Sequence, residues 1–415
     1  MLTAAPNAKD QSFAFVLVSM LAGQALGTVA TMTLPALAPA ASADLGISSS
    51  AIGYQISILA GAMLVALLFG GNLSMRWGAC RVTQIGLALC AMGCLIATGP
   101  HAAFFFSSAI ALGLGYGLLS PAASHLLMRY TPAHRRNVLF SLKQTGVPLG
   151  GIGVSLIAPT IATLYGWRWA LVITAAMLAV LIAVLQTRRA RWDDDRTADV
   201  PAVANPLEGV VGIWRQRTLR NLAIAGAFLV IPQIGLTTFT VILFVEEAGY
   251  SLIAAGFVLT ASQVGGVAGR VFWGWMADLT RSCYTALAIL CGVMIAATLA
   301  CFLITPAWPL PLACVLFFVF GSTASGWNGA FMAEVARLVP SAQVSRTTAG
   351  ALFYVNIGKM VGPLVVASAY AWSGRYTIAF GCLSVIAIAA LACLLTAHAR
   401  SIVIIEHNEM GERRT

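Results

Sequence analysis

Charged residues are scarce in this sequence. Asp, Glu, Lys and Arg make up only 9% of the 415 residues, against about 25% in soluble domains, which excludes a water-soluble globular protein. Several catalytic motifs are lacking as well: there is no His-Glu-x-x-His sequence, no Gly-Lys-Ser/Thr loop and no Ser-His-acid constellation. We therefore expect no enzyme activity, no cofactor and no ATP-driven pumping within this chain.

Apolar residues take the place of the missing charges. They make up 59% of the chain, and the mean hydropathy is +0.87. A membrane-spanning helix needs about 20 mostly apolar residues. Stretches of about that length occur twelve times, near residues 13–38, 49–70, 83–99, 102–128, 138–164, 168–187, 219–245, 252–275, 284–304, 309–336, 346–372 and 376–397. The sequence thus predicts an all-α membrane protein with twelve transmembrane helices.

Three basic residues, Lys143, Arg270 and Lys359, lie inside these apolar stretches. A lysine or arginine in the bilayer core costs about 2.5–3.5 kcal/mol on insertion scales, so it persists where it meets a negative partner in a protein interior or a wet cavity. The same stretches contain almost no carboxylates. The simplest interpretation is that the missing anion is a solute. For Lys143 and Arg270, a side chain that reaches the membrane surface is the alternative.

The other basic residues are distributed unevenly. If the amino terminus is cytoplasmic, 19 of the 24 Lys and Arg fall in cytoplasmic segments and two in the opposite loops. This asymmetry follows the positive-inside rule. We therefore expect cytoplasmic termini, a bacterial inner membrane as the location, and the lipid bilayer rather than a nucleic acid as the partner of this net charge of +10. A monomer is expected.

One long polar segment, residues 188–218, leaves six predicted spans on either side. Its mixed charge and its prolines favour a flexible cytoplasmic linker, in which Leu207–Arg217 is a candidate for a short helix at the membrane surface. The predicted organisation is an amino-terminal bundle over 1–187, the linker, a carboxy-terminal bundle over 219–397, and a tail over 398–415.

Short internal repeats indicate that the two bundles are copies of one fold. Three motifs recur in the same relative positions in both halves. They are Gly71-Asn-Leu-Ser-Met75 with Gly274-Trp-Met-Ala-Asp278, Arg129-Tyr-Thr-Pro132 with Arg337-Leu-Val-Pro340, and Lys143-Gln-Thr-Gly146 with Lys359-Met-Val-Gly362. Two related six-helix halves predict a solute site at their interface, near the bilayer midplane.

The motif from Gly274 to Asp278, with Arg281 beyond it, resembles the cytoplasmic loop signature Gly-x-Leu-Ala-Asp-Arg of the major facilitator superfamily. The first-half copy keeps Gly71 and Arg76 but has Met75 where the acid is expected. The sequence Gly-Val-Pro-Leu-Gly-Gly that begins at Gly146 is similar to the end of the span-five motif of antiporters in that superfamily; helix packing is the simpler interpretation of these glycines. The resemblance implies the twelve-helix major facilitator fold in two pseudo-symmetric bundles.

A narrower resemblance concerns Arg270. The pattern Gly269-Arg270-x3-Gly274-x2-Ala277-Asp278 is similar to span eight of the monocarboxylate porters and the oxalate:formate antiporters. In those groups the arginine lines the cavity and binds carboxylate, and the oxalate exchangers also have a lysine in span eleven, where Lys359 lies here. The resemblance therefore implies that these two residues bind substrate.

Polar and aromatic residues within the spans complete the candidate solute site. Span-internal Asn and Gln often join helices, and Tyr and Trp often serve packing, so each has a structural alternative. The candidates are Gln24, Tyr54, Tyr116, Gln233, Gln263, Trp327, Asn328, Tyr354 and Asn356. Trp327, Asn328 and Tyr354 are favoured because their spans also carry Glu334 or Lys359.

A gating set is expected at the cytoplasmic ends of the spans. Glu334 and Arg337 lie three residues apart on one helix face. Together with Asp278 and Arg129 they are candidates for a salt-bridge cluster that closes the cytoplasmic side; a solvated ion pair is the alternative. The loop-signature residues Gly71, Arg76 and Gly274 belong to the same set.

Three functions remain open. The first is alternating-access transport of a small organic anion, either by exchange or with a proton. In the second the basic residues are structural, and the solute is a neutral or aromatic compound such as a vitamin or an expelled drug. The third, a membrane-embedded enzyme or a channel, is disfavoured by the twofold repeat and by the absence of catalytic motifs.

Overall fold

A computed structural model describes residues 8–130, 142–197, 207–339 and 344–412. These residues are almost entirely helical and contain no β-strand. The helices are α1 (Ala8–Ala36), α2 (Ala38–Leu45), α3 (Ala51–Trp77), α4 (Ala79–Ala97), α5 (Ala102–Tyr130), α6 (Gly146–Tyr165), α7 (Trp167–Gln186), α8 (Arg189–Trp192), α9 (Leu207–Arg215), α10 (Arg217–Ile242), α11 (Leu252–Thr280), α12 (Cys283–Ala300), α13 (Leu310–Arg337), α14 (Val344–Ser373) and α15 (Tyr376–Glu412).

Twelve of the described helices are long and apolar enough to cross a membrane, which confirms the predicted all-α architecture. Helices dominate because each satisfies its own backbone hydrogen bonds in a solvent that offers none. The candidate membrane spans agree with the predicted ones to within about five residues, while α3 and α15 continue past the predicted ends to Trp77 and Glu412. The largest difference at the start of a fully described span is at α4, which begins at Ala79 rather than near residue 83.

The chain divides into two compact units. Unit 1 comprises Met1–Ser48 and Ile58–Ala204, and unit 2 comprises Ser49–Ser57 and Asn205–Thr415. Unit 1 therefore contains α1, α2, most of α3 and α4 to α8. Unit 2 contains the first turn or two of α3 and α9 to α15.

Close helix packing in unit 2 depends on glycines at the contact between α11 and α13. Gly265 and Gly269 of α11 lie against the main-chain carbonyl groups of Phe318 and Ser322, so that a methyl group at either glycine would collide with them. Gly321 of α13 lies against the main-chain carbonyl group of Ser262 in α11 in the same way. Small residues at four-residue spacing let membrane helices approach at backbone distance.

The other glycine motifs pack in a similar way. Gly146 and Gly150 of α6 lie against carbonyl oxygens of α1 in unit 1, and Gly358 of α14 lies against a carbonyl oxygen of α10 in unit 2. The glycines of the antiporter-like motif are therefore helix-packing residues in this structure. Pro132 and Pro340, which end two of the repeated motifs, lie outside the described residues.

The contact between α11 and α13 gives a direct stability prediction. Gly321→Ala is expected to lower the free energy of unfolding of the purified protein by about 1–3 kcal/mol, and with it the melting temperature, because the added methyl group overpacks a backbone contact. Gly292→Ala in α12 is the matched control, since its added methyl group meets open space and alanine is the better helix former. Thermal unfolding in detergent compares the two variants. Equal melting temperatures would show that this contact is not tight.

Part of the segment 188–218, whose composition predicts a flexible linker, is ordered. Its first residues form α8, in which Trp192 is only 1% exposed. Its last residues form α9, which packs against α14 through the buried Ile213. Residues 198–206 lie outside the described residues. The short helix expected over Leu207–Arg217 is present as α9, whereas α8 was missed because a single buried tryptophan anchors otherwise polar sequence.

Candidate functional site

Two basic side chains lie close together in unit 2. Arg270 belongs to α11 and Lys359 to α14, and the glycine before each of them contacts a neighbouring helix, α13 and α10 respectively. Both side chains are partly exposed. The two charged groups lie within electrostatic range of each other. Lys359 takes part in none of the ion pairs formed by the described residues.

Further polar side chains lie on these two helices and on α10. Asn356 is one turn before Lys359 and is buried; its amide nitrogen donates to the carbonyl oxygen of Leu352 at 2.8 Å, and its amide oxygen has no hydrogen bond with another described residue. Gln263 is two turns before Arg270 and therefore lies on the same face of α11. Gln233 of α10 is partly buried. The arrangement provides donors and acceptors beside two cations.

Three of the predicted solute contacts occupy other places in unit 2. Trp327 is 0% exposed, and its indole N–H donates to the carbonyl oxygen of Ala324 in its own helix. Tyr354 stacks on Trp214 of α9, with ring centroids 5.7 Å apart. Tyr54 of α3 is 53% exposed. In this conformation Trp327 supports helix packing and Tyr354 holds α9, while a role of either in solute contact stays a prediction.

Asn328 lies next to Trp327 but differs in exposure. It is partly buried, and its amide nitrogen donates to the carbonyl oxygen of Ser325 at 3.3 Å. Neighbouring positions of a helix point in different directions, so one of the two residues faces the packed interior and the other does not.

Lys143 is the basic residue of unit 1 that the sequence places within a span. It is only 2% exposed, and its ammonium group donates to the hydroxyl oxygen of Ser120 at 3.2 Å. It belongs to none of the ion pairs of the described residues. The side chain is therefore enclosed by protein.

A short polar track extends from Lys143 along α5. Tyr116 is one turn from Ser120, and its hydroxyl group accepts from the amide nitrogen of Gln24 at 2.8 Å and lies 3.2 Å from the hydroxyl group of Thr28. The four-residue spacing of Tyr116 and Ser120 places them on one face. The sequence interpretation missed Ser120 and Thr28, because hydroxyl residues are common in membrane helices and only this spacing distinguishes them.

Arg129, predicted for the gating set, is held by the residues that follow α8. Its guanidinium group contacts Asp194 and Asp195, and it donates to the carbonyl oxygen of Trp192 at 3.2 Å. His125 of the same helix lies 2.8 Å from Asp195. We call residues 188–197 the strap. The strap acids were missed as partners because their segment was interpreted as a flexible linker.

Asp193 ties the strap to the beginning of α4. Its carboxylate accepts the main-chain N–H groups of Cys80 at 2.7 Å and Arg81 at 3.0 Å. Burial raises the pKa of the Asp193 carboxyl group, while these two donors oppose the shift. Gly78 has φ +93° and its Cα packs directly on Asp193, so no side chain fits there.

In unit 2 the predicted gating residues form a smaller cluster than expected. Glu334 is fully buried and makes a bidentate ion pair with Arg337, at 3.0 and 2.7 Å. Asp278 is exposed at the end of α11, four residues after Gly274, which has open space around it. The grouping of these residues with Arg129, which pairs with strap acids in unit 1, stays a prediction. Gly71 and Arg76 belong to α3, where Arg76 is exposed near its end.

Comparison with known proteins identifies relatives along most of the chain. The model of the family described as "Major Facilitator Superfamily" matches residues 19–363. An uncharacterised transporter of this type from Mycobacterium tuberculosis is 27% identical over 239 residues, which are 56% of this chain and 52% of that protein. The match thus spans about half the length of that relative.

Two further relatives match over more of their length. Monocarboxylate transporter 13 of Bos taurus is 22% identical over 75% of this chain and 72% of its own length, which confirms the expected similarity to the monocarboxylate porters. The cis,cis-muconate transport protein of Acinetobacter baylyi is 23% identical over 78% of this chain and 79% of its own length.

A solved structure shows the same fold. The crystal structure of a peptide transporter in complex with sulfate superimposes with a TM-score of 0.75, at 18% identity, over 96% of this chain and 99% of that one.

Proposed function

Because this chain belongs to the major facilitator superfamily, and so is a membrane transporter and not an enzyme, we propose that it carries a small organic anion with a carboxylate group. Transport is by alternating access, and the solute binds at Arg270 and Lys359. The protein lies in the inner membrane of a bacterium, with both termini in the cytoplasm.

The observation that carries this proposal is the pair of like charges in unit 2. A cation within the membrane costs about 2.5–3.5 kcal/mol on insertion scales, and two like charges within electrostatic range of each other add to that cost. A carboxylate that binds both groups neutralises the pair. Its two oxygens match the guanidinium fork, and the ammonium group adds a point charge.

The relatives support a carboxylate as the solute. Two of them are named for carboxylates, a monocarboxylate in one case and cis,cis-muconate in the other. These substrates differ in size and in charge. What they share is the carboxylate group, which is the part of the solute that the cation pair selects.

The same charges explain how transport is coupled. An anion that binds Arg270 and Lys359 lowers the electrostatic cost of two like charges in the membrane, so the change of state is easier with the anion bound. This favours exchange of one anion for another, or co-transport in which the solute brings a proton. Lys143, enclosed in unit 1 with a hydroxyl partner, is a third cation that we propose for the solute site.

The orientation in the membrane rests on where the arginines gather. In unit 1, Arg129 pairs with an acid of the strap, and Arg189 belongs to the strap. Arg81 lies in the first turn of α4, the helix that Asp193 caps. Arg168, at the other end of α7, pairs with Asp44 at 2.7 Å. The arginine-rich end is the one that the positive-inside rule places in the cytoplasm.

Counterflow in proteoliposomes tests the substrate class. Vesicles loaded with unlabelled 4-hydroxybenzoate, cis,cis-muconate or succinate are diluted into labelled acid, and the neutral 4-hydroxybenzamide is the matched control of the same shape. We expect accumulation with at least one carboxylate and none with the amide. Equal accumulation of the amide would overturn the proposal in favour of a neutral aromatic solute. Repeating the assay at two pH values with valinomycin present separates exchange from proton-linked uptake.

A further inference from the structure

A second cationic site lies in unit 1 and shares no residue with those proposed to bind solute. It is a cavity of about 630 Å³ lined by Arg76, Trp77, Arg81, Ile85, Arg189 and Arg196. The residues come from the end of α3, the beginning of α4 and the strap. We propose that this cavity, the arginine pocket, binds the headgroup of an anionic phospholipid.

Charge in the arginine pocket indicates an anionic ligand. Four guanidinium groups line it, and the carboxylate of Asp193, which lies 3.9 Å from Arg189, already accepts two main-chain N–H groups. Of the other three arginines, none takes part in an ion pair among the residues that the structure describes. Arginine forks bind the oxygens of a phosphate group in a bidentate manner.

An apolar stripe runs from the pocket along α4. Beyond Arg81 and Ile85, the same face of the helix presents Ala88, Met92 and Leu95, which are exposed. Their spacing of three and four residues keeps them in line along one side of the helix. Exposed apolar side chains on a membrane helix face the hydrocarbon, so the pocket lies at one end of a lipid-facing surface, at the beginning of α4.

The neighbouring helix α7 presents a matching stripe. Ile173, Met177, Val180 and Val184 are exposed at the same three- and four-residue spacing. Helix α7 packs against α4 and leads into the strap, which supplies Arg189. The two stripes therefore flank one surface that ends at the arginine pocket.

This combination favours a lipid over a soluble phosphate compound. A phospholipid places its phosphate among the arginines and its acyl chains along the stripes of α4 and α7. Trp77, 47% exposed, lines the pocket, and indole rings favour the headgroup region of a membrane. Anionic lipids are enriched in the cytoplasmic leaflet, and basic pockets between membrane helices on that side bind their headgroups. A free anion would use the arginines but leave the stripes unexplained.

Native mass spectrometry of the full chain, titrated with dioleoylphosphatidylglycerol or dioleoylphosphatidylcholine, tests the proposal. We expect the wild type to retain the anionic lipid and Arg76→Gln/Arg81→Gln to bind it about thirtyfold more weakly, at about 1 kcal/mol per arginine. Binding of the zwitterionic lipid should not change. Arg215→Gln/Arg217→Gln, which removes two exposed arginines from unit 2, is the matched control and should bind as the wild type does.

Two further measurements keep the test decisive. Arg196 lies outside the helices, so the variant Arg196→Gln should fold even if the double variant does not. Its affinity for phosphatidylglycerol should fall by about fivefold. Inorganic phosphate in large excess should not displace phosphatidylglycerol. Equal retention of phosphatidylglycerol by all variants, or its displacement by phosphate alone, would overturn the proposal. Neither result depends on which solute the protein transports.

Discussion

Arg270→Gln is expected to lower carboxylate exchange in proteoliposomes by about 150-fold. The substitution removes one charged partner of a bound carboxylate, a loss of about 3 kcal/mol for a buried, hydrogen-bonded charge pair. The structure places Arg270 beside Lys359 in unit 2, so the glutamine also leaves Lys359 as the single cation for the solute. The measurement is the initial rate of counterflow at a fixed amount of reconstituted protein.

Two comparisons separate binding from a structural effect. Arg270→Lys keeps the charge but loses the planar fork, so its rate should fall between those of the wild type and Arg270→Gln. Arg215→Gln removes an exposed arginine of α9 and should exchange normally. If Arg270→Gln folds and exchanges carboxylate at the wild-type rate, the arginine is structural and the anion proposal fails.

The fold could be predicted from the sequence because hydropathy and length alone define a membrane helix. All twelve spans are in the described structure. The start of α4 was placed late because Arg81 separates Ala79 and Cys80 from the apolar residues that follow. Their burial depends on Asp193, which is more than a hundred residues away in the chain.

The solute-site candidates could be predicted only in part. Arg270 and Lys359 were found because a charge in an apolar span is conspicuous, and the structure brings them together. Trp327 and Tyr354 were chosen by the helices they occupy, yet one is enclosed within unit 2 and the other holds α9. Membrane helices are apolar nearly all round, so periodicity does not tell which face of such a helix packs and which lines a cavity.

The strap shows a different limit of sequence interpretation. Asp194 and Asp195 are typical of a solvated linker by composition, and Arg129 has no acid near it in sequence. Their contact is tertiary and is anchored by Trp192. Local patterns cannot reveal such a pairing, because the free energy that orders the segment comes from a side chain buried against distant helices.

Reversing the charge at Lys359 is also expected to have a large effect. Lys359→Glu is expected to reduce carboxylate exchange by more than about 100-fold, since the introduced carboxylate pairs with Arg270 and occupies the place of the solute. Repulsion in the wild type becomes attraction in the variant, so its melting temperature should exceed that of Lys359→Gln. A transported carboxylate should raise the melting temperature of the wild type, because it binds the folded state, and leave that of Lys359→Glu unchanged.

This pattern distinguishes a solute-binding lysine from a structural one. If Lys359 only fills space between helices, the neutral Lys359→Gln should melt higher than the wild type, because it removes a buried charge, and should still exchange carboxylate. If Lys359 binds the solute, Lys359→Gln loses exchange, and Lys359→Arg, which keeps the positive charge, retains part of it. Exchange by Lys359→Glu at the wild-type rate would contradict the proposal outright, since a carboxylate cannot attract the anion that the ammonium group is proposed to hold.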